Sequence, residues 1–422
     1  AASDVYKRQV LLTARSERVT YWAEQLQVWT GSDVVFPFPE PDALPYERVP
    51  WARETVSERL AALTSLVRWD GSSEPPVIIA SARALTQKSL PVREFQLGSR
   101  EYRQGQEIDL QRTIKLWVEN GYRPAAVVDE PGTFSRRGGL IDVFAPNLAH
   151  PVRIELFGDE IDSLRVFDPT TQRSLQRVSS FILVPATEAL PRLASPAAQR
   201  IQNLDLSLCH PPARREYQED LATLEQGSIF RGIEFYLPLF YSQAATLLDY
   251  LPQESVCAID DWGELLATTV DLERQAQALK DDLIRAGELP GNLPEIAAPY
   301  FTWEDLRETL LRTRPLVLGR GGIPGPPRTG SISEAFTHGE RYGGQLKRVL
   351  DGCQELRDSG QRVVLVSRQA QRISELLADR AIHVLPQENL IEAPSSREMA
   401  LVQGTLAEGW TLAPTCPLLT DA

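Results

Sequence analysis

Residues Val152 to Phe157 read Val-Arg-Ile-Glu-Leu-Phe, and this strict alternation of apolar with charged side chains commits the segment to a half-buried β-strand. Successive strand side chains point to opposite faces, so Val152, Ile154 and Leu156 share the core side while Arg153, Glu155 and Phe157 share the other. Leu140 to Phe144 is a second run rich in β-branched and aromatic residues, and Ala145-Pro146-Asn147 reads as the turn-like link between the two strands. The alternation sets Phe157 beside two charges where solvent reaches it. Arg136 and Arg137, just ahead of the first strand, extend the patch. Arginine and exposed aromatics are the residues that protein-binding hot spots favour. The same spacing also describes a solvated sheet face with one stray aromatic, and on spacing alone that is the commoner outcome.

Composition bounds the rest. A chain of 422 residues suggests two to four domains at about 150 residues each. Its 42% hydrophobic and 24% charged content is ordinary for a soluble globular protein. A net charge of −13 argues against broad nucleic-acid binding, which needs clustered Lys and Arg. No apolar run reaches the length of a membrane span, and no secretory leader is legible, so a cytoplasmic protein without membrane contact is expected. Cys209, Cys257, Cys353 and Cys416 form no CxxC pair, and His150, His210, His338 and His383 are scattered, so reduced thiols and no metal site are expected.

The coarse pattern is α/β. Val10 to Ala14, Val34 to Phe36 and Val77 to Ala80 are short apolar runs, and Arg53 to Val67 carries Val56, Leu60 and Leu63 at helical spacing. Strands alternating with helices imply a mostly parallel sheet. Residues 94–186 look inserted, because Ser255 to Asp261 returns to a buried-strand pattern. A smaller α/β unit follows, with a helix over Tyr342 to Leu356, a strand over Val363 to Val366 and a helix over Gln371 to Asp379.

The phosphate-cradling string G-x-x-x-x-G-K-[ST] is absent. The Gly-rich stretch Gly319 to Pro327 has no Lys, and its prolines remove donors, so it reads as a linker. Val256 to Asp261 imitates a Walker B strand with Asp260 and Asp261 at its end, but has no loop to serve. Asp159, Glu160 and Asp162 read as turn carboxylates or partners of nearby arginines, and Glu234 and Tyr236 as fold determinants. No catalytic residue is expected. The competing class is an enzyme with residual nucleotide binding.

A longer pattern runs through Pro131-Gly132-Thr133-Phe134, Arg137-Gly138-Gly139, Asp142-Val143-Phe144, Arg153-Ile154-Glu155, Phe157 to Ser163 and Gln172-Arg173-Ser174. It resembles the second domain of the bacterial transcription-repair coupling factor (Mfd) family and, more distantly, the excision-repair protein UvrB. The resemblance continues through Phe38-Pro39-Glu40, Leu44 to Glu47 and Arg59-Leu60 upstream, and through Gly232 to Glu234, Tyr236 to Pro238 and Asp249 to Pro252 downstream.

The resemblance implies a degenerate P-loop NTPase-like (UvrB-like) parallel-sheet domain over residues 10–93 and 187–300, with an inserted α+β UvrA-binding domain over 94–186. A linker over 301–330 and a small α/β domain over 331–422 follow. Residues 1–9 resemble nothing in the family and are set aside as a sequence scar, and Leu418 to Ala422 resembles the handover to an RNA-polymerase-binding domain, as in a fragment. The family's UvrA-contacting arginines and phenylalanine fall on Arg137, Arg153 and Phe157, with Arg136 as a possible further contact. Both Arg153 and Phe157 are expected to be replaceable without loss of the fold. RNA polymerase and double-stranded DNA, with ATP and magnesium, are implied for other domains of the full-length protein, and no cofactor for this chain. A UvrB-type repair fragment is the alternative within the resemblance.

Overall fold

The computed structural model describes residues 7–30, 34–293, 298–318, 336–338, 345–390, 392–406 and 409–412. Contacts divide the chain into two compact units, Ala1–Ser16 with Phe36–Gly322 and Glu17–Val35 with Ile323–Ala422.

The first unit is built on a five-stranded sheet in the order Leu316–Val317, Val256–Ile259, Gln9–Thr13, Val77–Ser81, Val35–Phe38. The first four run parallel to their neighbours. Parallel strands bury both faces, and Val10, Leu12, Ile78, Ile79 and Ile259 are accordingly closed to solvent. The helix Arg53–Arg68 buries Val56, Leu60 and Leu63 at the expected spacing. Its Arg59 is also fully buried, where Nε donates to Glu188 Oε1 at 2.5 Å and the guanidinium lies 4.1 Å from the Phe38 ring centre. Glu188 also accepts from Ser89 Oγ, so the chain leaving the inserted segment is tied to the sheet domain by a satisfied buried pair.

The insertion carries its own core. Strands Arg100–Arg103 and Ser180–Leu183 pair antiparallel, so the chain enters and leaves side by side. Between them a six-stranded sheet packs Ile141, Val143, Val152, Ile154, Ile161 and Leu164 against Trp117 of the helix Leu110–Glu119. That helix starts at Asp109, whose carboxylate accepts from Arg112 N.

The second unit has a three-stranded parallel sheet in the order Val363–Ser367, Met399–Gln403, Pro386–Gln387. Helices Leu346–Asp358 and Ala370–Ala378 cover it with Leu350, Cys353, Ile373 and Leu377.

Three sequence boundaries move. Gln9 already belongs to the central strand, and Arg8 Nη2 donates to Trp69 O at 2.7 Å, so the segment set aside as a scar does not reach these two residues. The expected linker over 301–330 contains the helix Trp303–Arg312, started by a Thr302–Asp305 capping box and anchored by buried Leu306 and Leu310. The sheet strand Leu316–Val317 follows it, while Gly319 to Gly330 lies outside the described residues. Residues 17–35, read with the first domain, belong to the second unit, where Val28 packs on Val364, Val366 and Val402. Gln25 Nε2 donates there to Thr405 O at 2.9 Å. Among the described residues no helix is long and apolar enough to cross a membrane.

Candidate protein-docking face

The six-stranded sheet of the insertion runs in the order Ser174–Val178, Glu160–Phe167, Val152–Phe157, Leu140–Phe144, Thr133–Arg137, Arg123–Pro124. The strands Leu140–Phe144 and Val152–Phe157 have the bounds read from the sequence. Arg136 and Arg137, which lie just ahead of the first strand of the pair, end a strand of their own, Thr133–Arg137, which pairs antiparallel with Leu140–Phe144. Two-residue turns close the hairpins at Gly138-Gly139 and Gly158-Asp159. Gly138 and Gly158 both have φ +64°, a region that side chains disfavour, which explains glycine at each turn.

Directly paired residues lie on one face, and the register therefore defines rows across the outer surface. One row is Ser135, Asp142, Arg153, Arg165, and the next is Arg137, Leu140, Glu155, Ser163. Phe157 stands past the second row at the turn, 83% exposed, with Leu140 40% exposed on the neighbouring strand. Arg137 shares this face and is exposed, its Nη2 donating to Ala126 O at 2.7 Å. Arg136 pairs with Ile141 and alternates with Arg137, so it points to the other face. The structure thus brings Arg137, Arg153 and Phe157 onto one side and leaves Arg136 on the opposite one.

Arg153 is not a free surface cation. Its Nε and Nη2 donate to Asp142 Oδ1 and Oδ2 at 2.7 and 2.9 Å, and its guanidinium lies 4.7 Å from the Phe167 ring centre. The hydrogen bonds to Asp142 hold the guanidinium above its ordinary value, against a smaller opposing effect of burial. Asp142 is 7% exposed, so Arg153→Ala would leave a buried carboxylate without its fork, and a stability cost is expected in place of the indifference read from alternation. Sequence reasoning missed Asp142. Its one signal was a carboxylate in the middle of an otherwise apolar strand, Leu-Ile-Asp-Val-Phe.

Asp261, at the Walker B-like position, caps the helix Trp262–Arg285 by accepting from Glu264 N at 2.9 Å. Asp260 follows the strand Val256–Ile259, and its backbone N–H donates to Leu12 O at 2.8 Å. Asp159, Glu160 and Asp162 are exposed at the hairpin turn and its strand. Burial pushes the Glu234 carboxyl up to about 7, with Glu188 and Asp42 adding to the rise. Tyr236 OH donates to Asp220 Oδ2 at 2.8 Å.

The sheet and its flanking helix fall inside residues 101–188, which match the UvrB interaction domain family. The class is thus an α/β protein with an inserted segment that matches the UvrB interaction domain family. Along 90% of its length the chain is similar to the transcription-repair-coupling factor of Myxococcus xanthus, at 30% identity over 417 aligned residues. The factor of Bacillus subtilis is 25% identical over 83% of the chain, and that of Haemophilus influenzae 30% identical over 58%. The resemblance to transcription-repair coupling factors therefore holds along most of the chain. The match to the Myxococcus relative spans 33% of that protein's length.

Proposed function

We propose that the outer sheet face docks UvrA, and that the chain serves as a non-catalytic adaptor recruiting it in transcription-coupled nucleotide excision repair. The observation that carries the reading is Phe157, 83% exposed at a glycine turn, on the same face as Arg137 and Arg153 and within the matched segment. A large aromatic left in water beside oriented guanidinium groups fits a hot spot better than a fold determinant. The similarity to transcription-repair-coupling factors supplies the repair setting. RNA-polymerase binding and ATP-driven movement on double-stranded DNA are assigned to other parts of the longer proteins.

The parallel sheet fits a P-loop-like domain that has lost its nucleotide site. Only Ala14 and Arg15 join the central strand Gln9–Thr13 to the helix Ser16–Gln27, with neither the glycines nor the lysine that a phosphate loop uses. The isolated chain is expected to bind UvrA in a calorimetric titration and to show no ATP hydrolysis. No heat of binding, or an ATPase activity that vanishes in Asp260→Asn, overturns this reading.

A further inference from the structure

The first row of the outer face continues beyond Arg165. Ser174–Val178 is the next strand, and Arg177 pairs directly with Arg165, which pairs directly with Arg153. Three arginines thus stand opposite one another on three adjacent strands, with neighbouring backbones only about 4.8 Å apart. Like charges directly opposite each other destabilise a sheet. Two of the three are compensated within the face: Asp142 takes Arg153, and Glu155 accepts from Arg165 Nη2 at 3.0 Å. Glu155 also accepts from Ser163 Oγ at 3.0 Å, which fixes it on the Arg165 side. Arg177 is exposed, and among the described residues its side chain has no hydrogen bond or ion pair.

Edge strands commonly carry a charge to discourage pairing with another chain. That purpose accounts for a charge on the strand, which also exposes Leu175 at 54%, but not for its placement directly opposite Arg165 in the same row. Within the face Arg177 meets only a like charge across the strand, whereas a carboxylate-bearing surface would supply its missing counter-charge.

We infer that the row Arg153, Arg165, Arg177 extends the proposed docking surface to the sheet edge, and that Arg177 meets an acidic group of the same partner. The inference rests on the UvrA-docking reading. A charge at the rim of an interface acts mainly on the association rate and is screened by salt. Association rates with UvrA are therefore measured at low and high salt for the unaltered chain, Arg177→Ala, Arg177→Glu and Phe157→Ala. Arg112→Ala, an exposed arginine on the helix Leu110–Glu119, is the control.

Arg177→Ala is expected to slow association about threefold and Arg177→Glu about tenfold at low salt, both differences shrinking at high salt. Melting temperatures are expected to stay level or rise. Arg177→Ala associating like the control overturns the extension. If Phe157→Ala weakens the complex while both Arg177 variants behave normally, the docking reading stands and only this extension falls. If Phe157→Ala too is without effect, the docking reading falls with it.

Discussion

The two ends of the outer sheet face obey the same alternation and meet different fates. At one end Phe144 and Phe167 turn outward yet are buried, because Val128 packs over them, and Arg153 lies on Phe167 in the grip of Asp142. At the other end, beside the two glycine turns, Leu140 and Phe157 have no such cover. Period two assigns residues to a face but says nothing about what lies over that face. The covered end holds a guanidinium at fixed orientation at some cost if it is removed, and the bare end offers apolar area. A docking surface built from both ends would have one preorganised charge and one open anchor.

The largest effect is expected at the covered end. Arg153→Ala removes a bidentate pair and an aromatic contact and leaves Asp142 buried, so stability should fall by about 2 kcal/mol. The loss should appear in urea unfolding at constant slope. Asp142→Ala combined with Arg153→Ala should recover part of it, because no buried carboxylate is then left unpaired. If Arg153→Ala unfolds like the unaltered chain, the two ends are energetically alike and the comparison fails.

This pairing marks the limit of what the sequence makes legible. The strands Leu140–Phe144 and Val152–Phe157 were readable because alternation and turn residues are local signals. So was the placement of Arg153 and Phe157 on one face. The Asp142–Arg153 contact depends on register across the hairpin, which no local pattern states. Thr133–Arg137 was obscured because a strand ending in two arginines before two glycines resembles a charged loop. Residues 17–35 join the second unit through Val364, Val366 and Val402, more than 300 positions away in the sequence, a separation beyond any window of periodicity. The resemblance to a known family supplied the proposed roles, while the local pattern supplied the geometry on which they fall.

At the bare end the balance of effects should reverse. Phe157→Ala should leave stability within about 0.5 kcal/mol, since a side chain that is 83% exposed supports little of the fold. The same change should weaken UvrA binding by about 2 kcal/mol, measured by calorimetry on protein whose melting temperature is unchanged. A stability loss as large as that of Arg153→Ala would show that Phe157 packs in solution and is not a free anchor.

The smallest effect sharpens the comparison by separating neighbours in the sequence. Arg137 lies on the outer face with Leu140 and Glu155, whereas Arg136 alternates to the face of Phe134 and Ile141. Both are exposed, but they point to opposite faces, and among the described residues Arg137 alone of the two donates to a backbone carbonyl, Ala126 O. Arg137→Ala should therefore weaken docking by about 1 kcal/mol, less at high salt, as expected for a rim cation in water. Its carbonyl partner Ala126 O is left to solvent, so folding should be almost unaffected. Arg136→Ala should change affinity by no more than about 0.5 kcal/mol, because its side chain leaves the sheet on the side opposite Phe157. Titrating the two variants side by side against UvrA gives the result directly. Equal losses would mean that the partner wraps around the turn and reaches both faces, and the docking surface would then be the tip of the sheet and not its outer side.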